Sequence, residues 1–116
     1  IDSHIPRSYA YCSDTQFFSS LVNYIKNVDL LYHEATFHSD LSKRAKSTFH
    51  STAKEAGILA KEGNVKKLLL GHFSSRYKDL NILKKDAETV FNNVELSIEG
   101  EIWRIEKKYF YENHNR

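Results

Sequence analysis

Three short apolar runs, each followed at once by a residue able to bind a metal or move a proton, constrain this chain more than any other feature. Ser8 to Ser13 (SYAYCS), Asp29 to His33 (DLLYH) and Val65 to Leu70 (VKKLLL) lack polar alternation. Runs this short, set between turn signals, read as strands buried on both faces. Asp14 follows the first, His33 and Glu34 end the second, and His72 follows the third.

The intervening segments read as helices. Phe17, Phe18, Leu21, Val22 and Ile25 repeat at helical spacing from Gln16 to Lys26. A short helix is expected from Leu41 to Lys46. Another is expected from Ser51 to Glu62, where Ala53, Ala56, Leu59 and Ala60 form a narrow face suited to close approach to a sheet, with Gly63-Asn64 as its stop. Leu80, Leu83, Ala87, Val90 and Phe91 share a face of a last helix, and Val94 to Ile105 alternates around Gly100 as one or two edge strands, ahead of a tail from Tyr109 to Arg116.

Strand and helix in alternation give an α/β layer with right-handed crossovers, and the absence of a Pro- or Ser-rich linker points to one structural unit over residues 1 to 116. Parallel strands deliver the groups at their carboxyl ends to one rim, where ligands bind in open α/β sheets. Taken singly, each group has a plain structural alternative. Asp14 could cap the following helix, His33 could be a core histidine and His72 a loop residue. Their convergence on one rim favours the chemical reading.

Composition narrows the class. The single Cys12 excludes a disulfide scaffold and favours a reducing compartment, here the cytoplasm. No stretch approaches the roughly 18 consecutive apolar residues of a membrane helix, so no membrane partner is expected. The chain contains no methionine and opens on Ile1, which suggests a piece of a longer protein. Between Leu41 and Lys78, nine basic residues face only Glu55 and Glu62, whereas acidic residues are in excess elsewhere. Such segregation suits a polyanionic partner, although a solvated lysine-rich helix face would look the same.

Asp and His on one rim suit a divalent cation such as zinc, which accepts both imidazole nitrogen and carboxylate oxygen. These few ligands are too few for a hydrolytic site, so others must lie outside the chain. Zinc-finger cysteine pairs, a P-loop and a dinucleotide-binding glycine pattern are all missing.

Four motifs carry a resemblance to a known family: SDT at Ser13 to Thr15, HEATF at His33 to Phe37, HST at His50 to Thr52 followed by Ala53 and Ala56, and HFSSRY at His72 to Tyr77. Over residues 8 to 108 the chain resembles the C-terminal half of ribonuclease Z, the tRNA 3′-processing endonuclease of the metallo-β-lactamase superfamily. HEAT followed by HST is the specific part of the match. Ser13 stands where the family usually has glycine. The resemblance implies the C-terminal half of an αββα sandwich, with a mixed sheet and flanking helices.

It further implies two zinc ions per complete site. Asp14 would be the carboxylate bridging both, and His72 an imidazole ligand of one. Glu34 and His50 would handle the proton of the leaving oxygen, with the carboxylate orienting the imidazole and favouring its donating form. Arg76 and Ser74, beside His72, are placed to hold a phosphate. The implied substrate is precursor tRNA, cut just 3′ of the discriminator nucleotide to leave a 3′-hydroxyl. The HxHxDH motif and the tRNA-binding arm belong to the preceding half, so the isolated segment is expected to be nearly inactive, with Asp14 and His72 supplying only part of two zinc coordination shells. An apolar sheet face built to meet the other half would drive self-association, as a homodimer or otherwise. The alternatives are a phosphodiesterase of the same superfamily acting on small diesters and a non-catalytic basic α/β module that binds nucleic acid.

Overall fold

The structure, a computed structural model, describes residues 8–12 and 19–97. Four strands, β1 (Tyr9–Cys12), β2 (Leu30–Glu34), β3 (Lys67–Gly71) and β4 (Val94–Leu96), form one sheet in chain order. Each pairing among the described residues is parallel, with Cys12 opposite His33, His33 opposite Leu70, and Glu34 opposite Gly71. The mixed sheet implied by the family would therefore need a strand outside these residues. Asp14, the second edge strand expected around Gly100 and the tail from Tyr109 to Arg116 likewise lie outside them.

The connections are helical: α1 (Val22–Ile25), α2 (Ser42–Ser47), α3 (Ala53–Glu62) and α4 (Asn81–Glu88). The helix expected over Gln16 to Lys26 is described only from Ser19, as a single 3-10 turn running into α1. No helix among the described residues is long and apolar enough to cross a membrane.

Side-chain alternation along the strands separates two faces. Leu31, Leu68 and Leu70 point into one cluster with Ile25, Ala53, Ala56, Leu59, Leu83 and Ala87. Helices α1, α3 and α4 thus cover the same side of the sheet. Leu30, Tyr32 and Leu69, with Tyr9, make a separate cluster on the other side, where Tyr11 stacks on Tyr32 with ring centroids 4.6 Å apart. One sheet and one helical layer are what half of an αββα sandwich requires, and among the described residues the helices that pack on the sheet cover one face.

Helix α3 is fixed at both ends by its sequence. Thr52 and Glu55 form a capping box, each side chain receiving the other's backbone N–H. At the far end Asn64, with φ of 54°, takes the left-handed position, while Gly63 remains right-handed. Asn64 N–H donates to Lys61 O and Val65 N–H to Ala60 O, both at 3.1 Å, which completes a Schellman turn.

The small-residue face serves more than the sheet. A Cβ on Gly57 would lie 2.7 Å from Val90 Cγ2 and 2.8 Å from the Ala87 carbonyl oxygen, so α3 approaches α4 almost backbone to backbone. Gly57→Val should cost about 2 kcal/mol, in the range typical of overpacking, read as a lower urea midpoint with an unchanged m-value. A midpoint equal to that of the unaltered protein would show that α4 yields freely.

Candidate active site

The carboxyl ends of β2 and β3 carry the chemistry. Glu34, the last residue of β2, is fully buried. The segment after it is clamped on both sides by backbone bonds. Ala35 N–H donates to Gly71 O at 2.8 Å and Ser74 N–H to Thr36 O at 3.1 Å; on the opposite side Thr36 N–H donates to Ser51 O at 3.2 Å and Ala53 N–H to Phe37 O at 2.9 Å. The three motifs HEATF, HSTA and HFSS therefore lie side by side, and their spacing is set by the main chain.

His50 is brought in by the end of α2. Its N–H donates to Ala45 O at 2.8 Å and the preceding Phe49 N–H to Lys46 O at 3.2 Å, a second Schellman turn, in which Phe49 holds a φ of 61°. His72 also has positive φ, 58°, and turns away just after β3.

Glu34 Oε2 accepts three hydrogen bonds: from Thr36 Oγ1 at 2.8 Å, from His50 Nδ1 at 2.9 Å and from Ser51 N–H at 3.0 Å. An oxygen so fully engaged has no lone pair left to bind a metal, so Oε2 orients its donors. Donation by Nδ1 fixes the His50 tautomer and leaves Nε2 as the nitrogen available for proton transfer. The Thr36 hydroxyl has one proton, for which the His72 carbonyl at 3.0 Å competes with the carboxylate. The charged acceptor at the shorter distance wins. Thr36 Oγ1 then accepts from His72 Nδ1, 3.2 Å away, which places the lone pair of the neutral imidazole on Nε2.

Ligand atoms of Glu34, His50 and His72 lie within 4.8 Å of one another, a grouping of the size a metal site needs. With Glu34 Oε2 committed to its three donors, the imidazole nitrogens of His50 and His72 are the atoms of this group that suit zinc, a set that falls short of the three protein ligands of a catalytic zinc. The site therefore fits a metal in part. Asp14 lies outside the described residues, two positions beyond the end of β1.

Arg76 and Ser74 sit beside this group. The exposed Arg76 guanidinium lies 5.6 Å from the centroid of the buried Phe37 ring, and that of Arg44 lies 6.0 Å from the same centroid. Ser74 Oγ accepts the Arg76 N–H at 3.3 Å. Sequence reasoning selected Arg76 but missed Arg44, whose relation to Phe37 has no signature in spacing. It also missed Asp86 of α4, nearly buried, which accepts Ser39 N–H at 3.0 Å, Ser39 Oγ at 2.7 Å and Lys54 N–H at 2.9 Å.

His33 is a core residue. Fully buried beside Leu31 on the helical side of the sheet, it donates Nδ1–H to the Glu34 carbonyl at 2.8 Å, and its Nε2 has no hydrogen-bond partner. Burial lowers its pKa below the usual histidine value. The unfolded chain thus takes up a proton near pH 6.5, before the folded one does. The stabilisation is complete above that pH and lost as pH falls below it, at up to about 1.4 kcal/mol per pH unit. His33→Asn, which keeps a donor for the carbonyl but does not titrate, should flatten the decline in melting temperature between about pH 6.5 and pH 5. An identical decline in the variant would assign it to other groups.

Sequence and fold comparisons agree with this geometry. No family model matches the chain. A ribonuclease Z from Porphyromonas gingivalis is 58% identical over 86 residues, covering 74% of this chain and 28% of that protein. The metallo-beta-lactamase fold protein YhfI from Bacillus subtilis superposes with a TM-score of 0.69 and 33% identity, over 75% of this chain and 35% of its own. A long-form RNase Z from yeast gives a TM-score of 0.66 and 30% identity over 84% of this chain and 14% of that one. The chain spans about a third of the length of the curated relatives it matches. By sequence and by fold the chain belongs with the ribonuclease Z proteins.

Proposed function

We propose that the chain is part of a zinc-dependent endoribonuclease that removes the 3′ trailer from precursor tRNA in the cytoplasm. The observation that carries this is the Glu34–His50 pair, closed at 2.9 Å beside His72 at the carboxyl rim of a parallel sheet. Two zinc ions, held by His72, Asp14 and ligands beyond these 116 residues, would supply an activated water and charge stabilisation at the phosphate. Glu34 orients His50, and His50 delivers a proton from Nε2 to the leaving oxygen. Arg76 offers its charged fork to a phosphate oxygen, and Ser74 shapes the turn that presents it while its own hydroxyl stays within reach of the same phosphate.

The full-length protein, supplied with zinc, should cut precursor tRNA at the 3′ junction and leave a 3′-hydroxyl, whereas the 116-residue segment should not. Cleavage of small diesters alone, or RNA binding without cleavage, would overturn this reading.

Self-association belongs to the same proposal. On the sheet face away from the helices Leu30, Tyr32 and Leu69 are already buried within the chain, contrary to the expectation of an open apolar face, and Tyr11, 46% exposed, is the part left to meet a second copy of the segment. Light scattering at micromolar concentration should report a species larger than 13.5 kDa. A monodisperse monomer would refute it.

A further inference from the structure

Two Schellman turns in this chain have the same hydrogen bonds but very different residues at the left-handed position. At the end of α3 the residue is Asn64, a side chain that tolerates this conformation; at the end of α2 it is Phe49. A bulky aromatic with φ of 61° is a marked outlier, because its Cβ crowds the following carbonyl. Glycine or asparagine would close the turn with less strain. Nor does packing reward the choice, since Phe49 is 68% exposed. Strain kept without burial points to a role for the ring outside the fold.

The surroundings identify the role. Phe49 directly precedes His50, and adjacent Cα atoms are about 3.8 Å apart, so its ring and the proton-transferring imidazole can serve neighbouring nucleotides of one strand. Lys43, Arg44 and Lys46 are all exposed on α2, a helix with no acidic residue, and Arg76 is exposed across the site. An exposed aromatic among cations is the arrangement that binds single-stranded nucleic acid, with bases stacking on the ring and phosphates held by the basic groups.

We infer that Phe49 is a stacking platform for an unpaired base of the RNA, one nucleotide removed from the phosphate held beside His50. This rests on the endoribonuclease reading and extends it to a subsite. The ring contributes affinity without reading sequence, because every base offers a π face.

The test uses the full-length protein and a short fluorescent single-stranded RNA, compared with copies in which one nucleotide at a time is abasic. Phe49→Gly relieves the turn while deleting the ring. It should bind the intact RNA about tenfold more weakly, keep or raise the melting temperature, and leave the salt slope unchanged because no charge is lost. One abasic RNA should bind Phe49→Gly and the unaltered protein equally well. Phe49→Trp should restore affinity for the intact RNA. Equal binding of intact RNA by Phe49→Gly, or losses that simply add with every abasic position, would overturn the inference. Because binding is read without cleavage, a protein that shows the Phe49 dependence but never cuts precursor tRNA would overturn the endoribonuclease reading alone.

Discussion

Replacing His50 with alanine in the full-length protein should slow single-turnover cleavage of precursor tRNA by about 10² to 10⁴-fold, the usual worth of a positioned general acid or base, with metal content unchanged. The expectation follows from how its ring is used. Nδ1 is committed to Glu34, and the Schellman turn fixes the backbone, so in the proposed reading Nε2 is the nitrogen that delivers the proton. Glu34→Gln should lose a smaller factor, since an amide oxygen can still accept from the same three donors but is a weaker, uncharged acceptor and holds the imidazole less firmly. Glu34→Ala should also destabilise the fold by leaving those buried donors unpaired. Asp14→Ala, by contrast, should lose metal. If His50→Ala strips zinc as thoroughly as Asp14→Ala does, the imidazole is a ligand and the proton must come from elsewhere.

The strands and the motif-bearing rim were legible in the sequence because both depend on local pattern. The runs at β2 and β3 are buried strands as expected, with bounds that differ by only a residue or two, Leu30–Glu34 against Asp29 to His33 and Lys67–Gly71 against Val65 to Leu70. Strand β1, expected to be buried on both faces, instead lies at the end of the described sheet with no fully buried residue and Tyr11 exposed. Periodicity overreached where it was asked to set helix ends. The stripe through Val90 and Phe91 continues past the end of α4 at Glu88, because Val90 packs on Gly57 from the turn that follows the helix. What stayed hidden depends on tertiary partners. Phe49 in a left-handed turn contradicts the residue preference by which such turns are recognised. The two guanidiniums near Phe37 come from segments more than thirty residues apart. Asp86 looks like one more charge on an amphipathic helix, since the groups it serves are mostly backbone amides, which sequence does not display.

Asp86→Ala should therefore be the most destabilising of the surface-looking charge deletions, at about 3 kcal/mol in urea unfolding of the full-length protein. Its carboxylate binds the N–H and hydroxyl of Ser39, just beyond HEATF, and the Lys54 N–H in the first turn of α3, just beyond HST. His38 accepts the Asp40 N–H at Nδ1, so its proton is on Nε2, 3.4 Å from Asp86 Oδ1. One side chain on α4 thus ties together the two loops that hold Glu34 and His50. Asparagine is a poor substitute, because both carboxylate oxygens face donors and the amide nitrogen must meet one of them. Asp86→Asn should lose nearly as much as alanine. The Lys66–Asp29 pair gives the contrast. It is closer, 3.1 Å between charged atoms, but the Lys66 side chain is 76% exposed, and Lys66→Ala should cost less than about 1 kcal/mol, as exposed pairs do. A loss below about 1 kcal/mol for Asp86→Ala would mean that water replaces the carboxylate at all three donors, and that the backbone clamp around residues 34 to 37 holds the site without it.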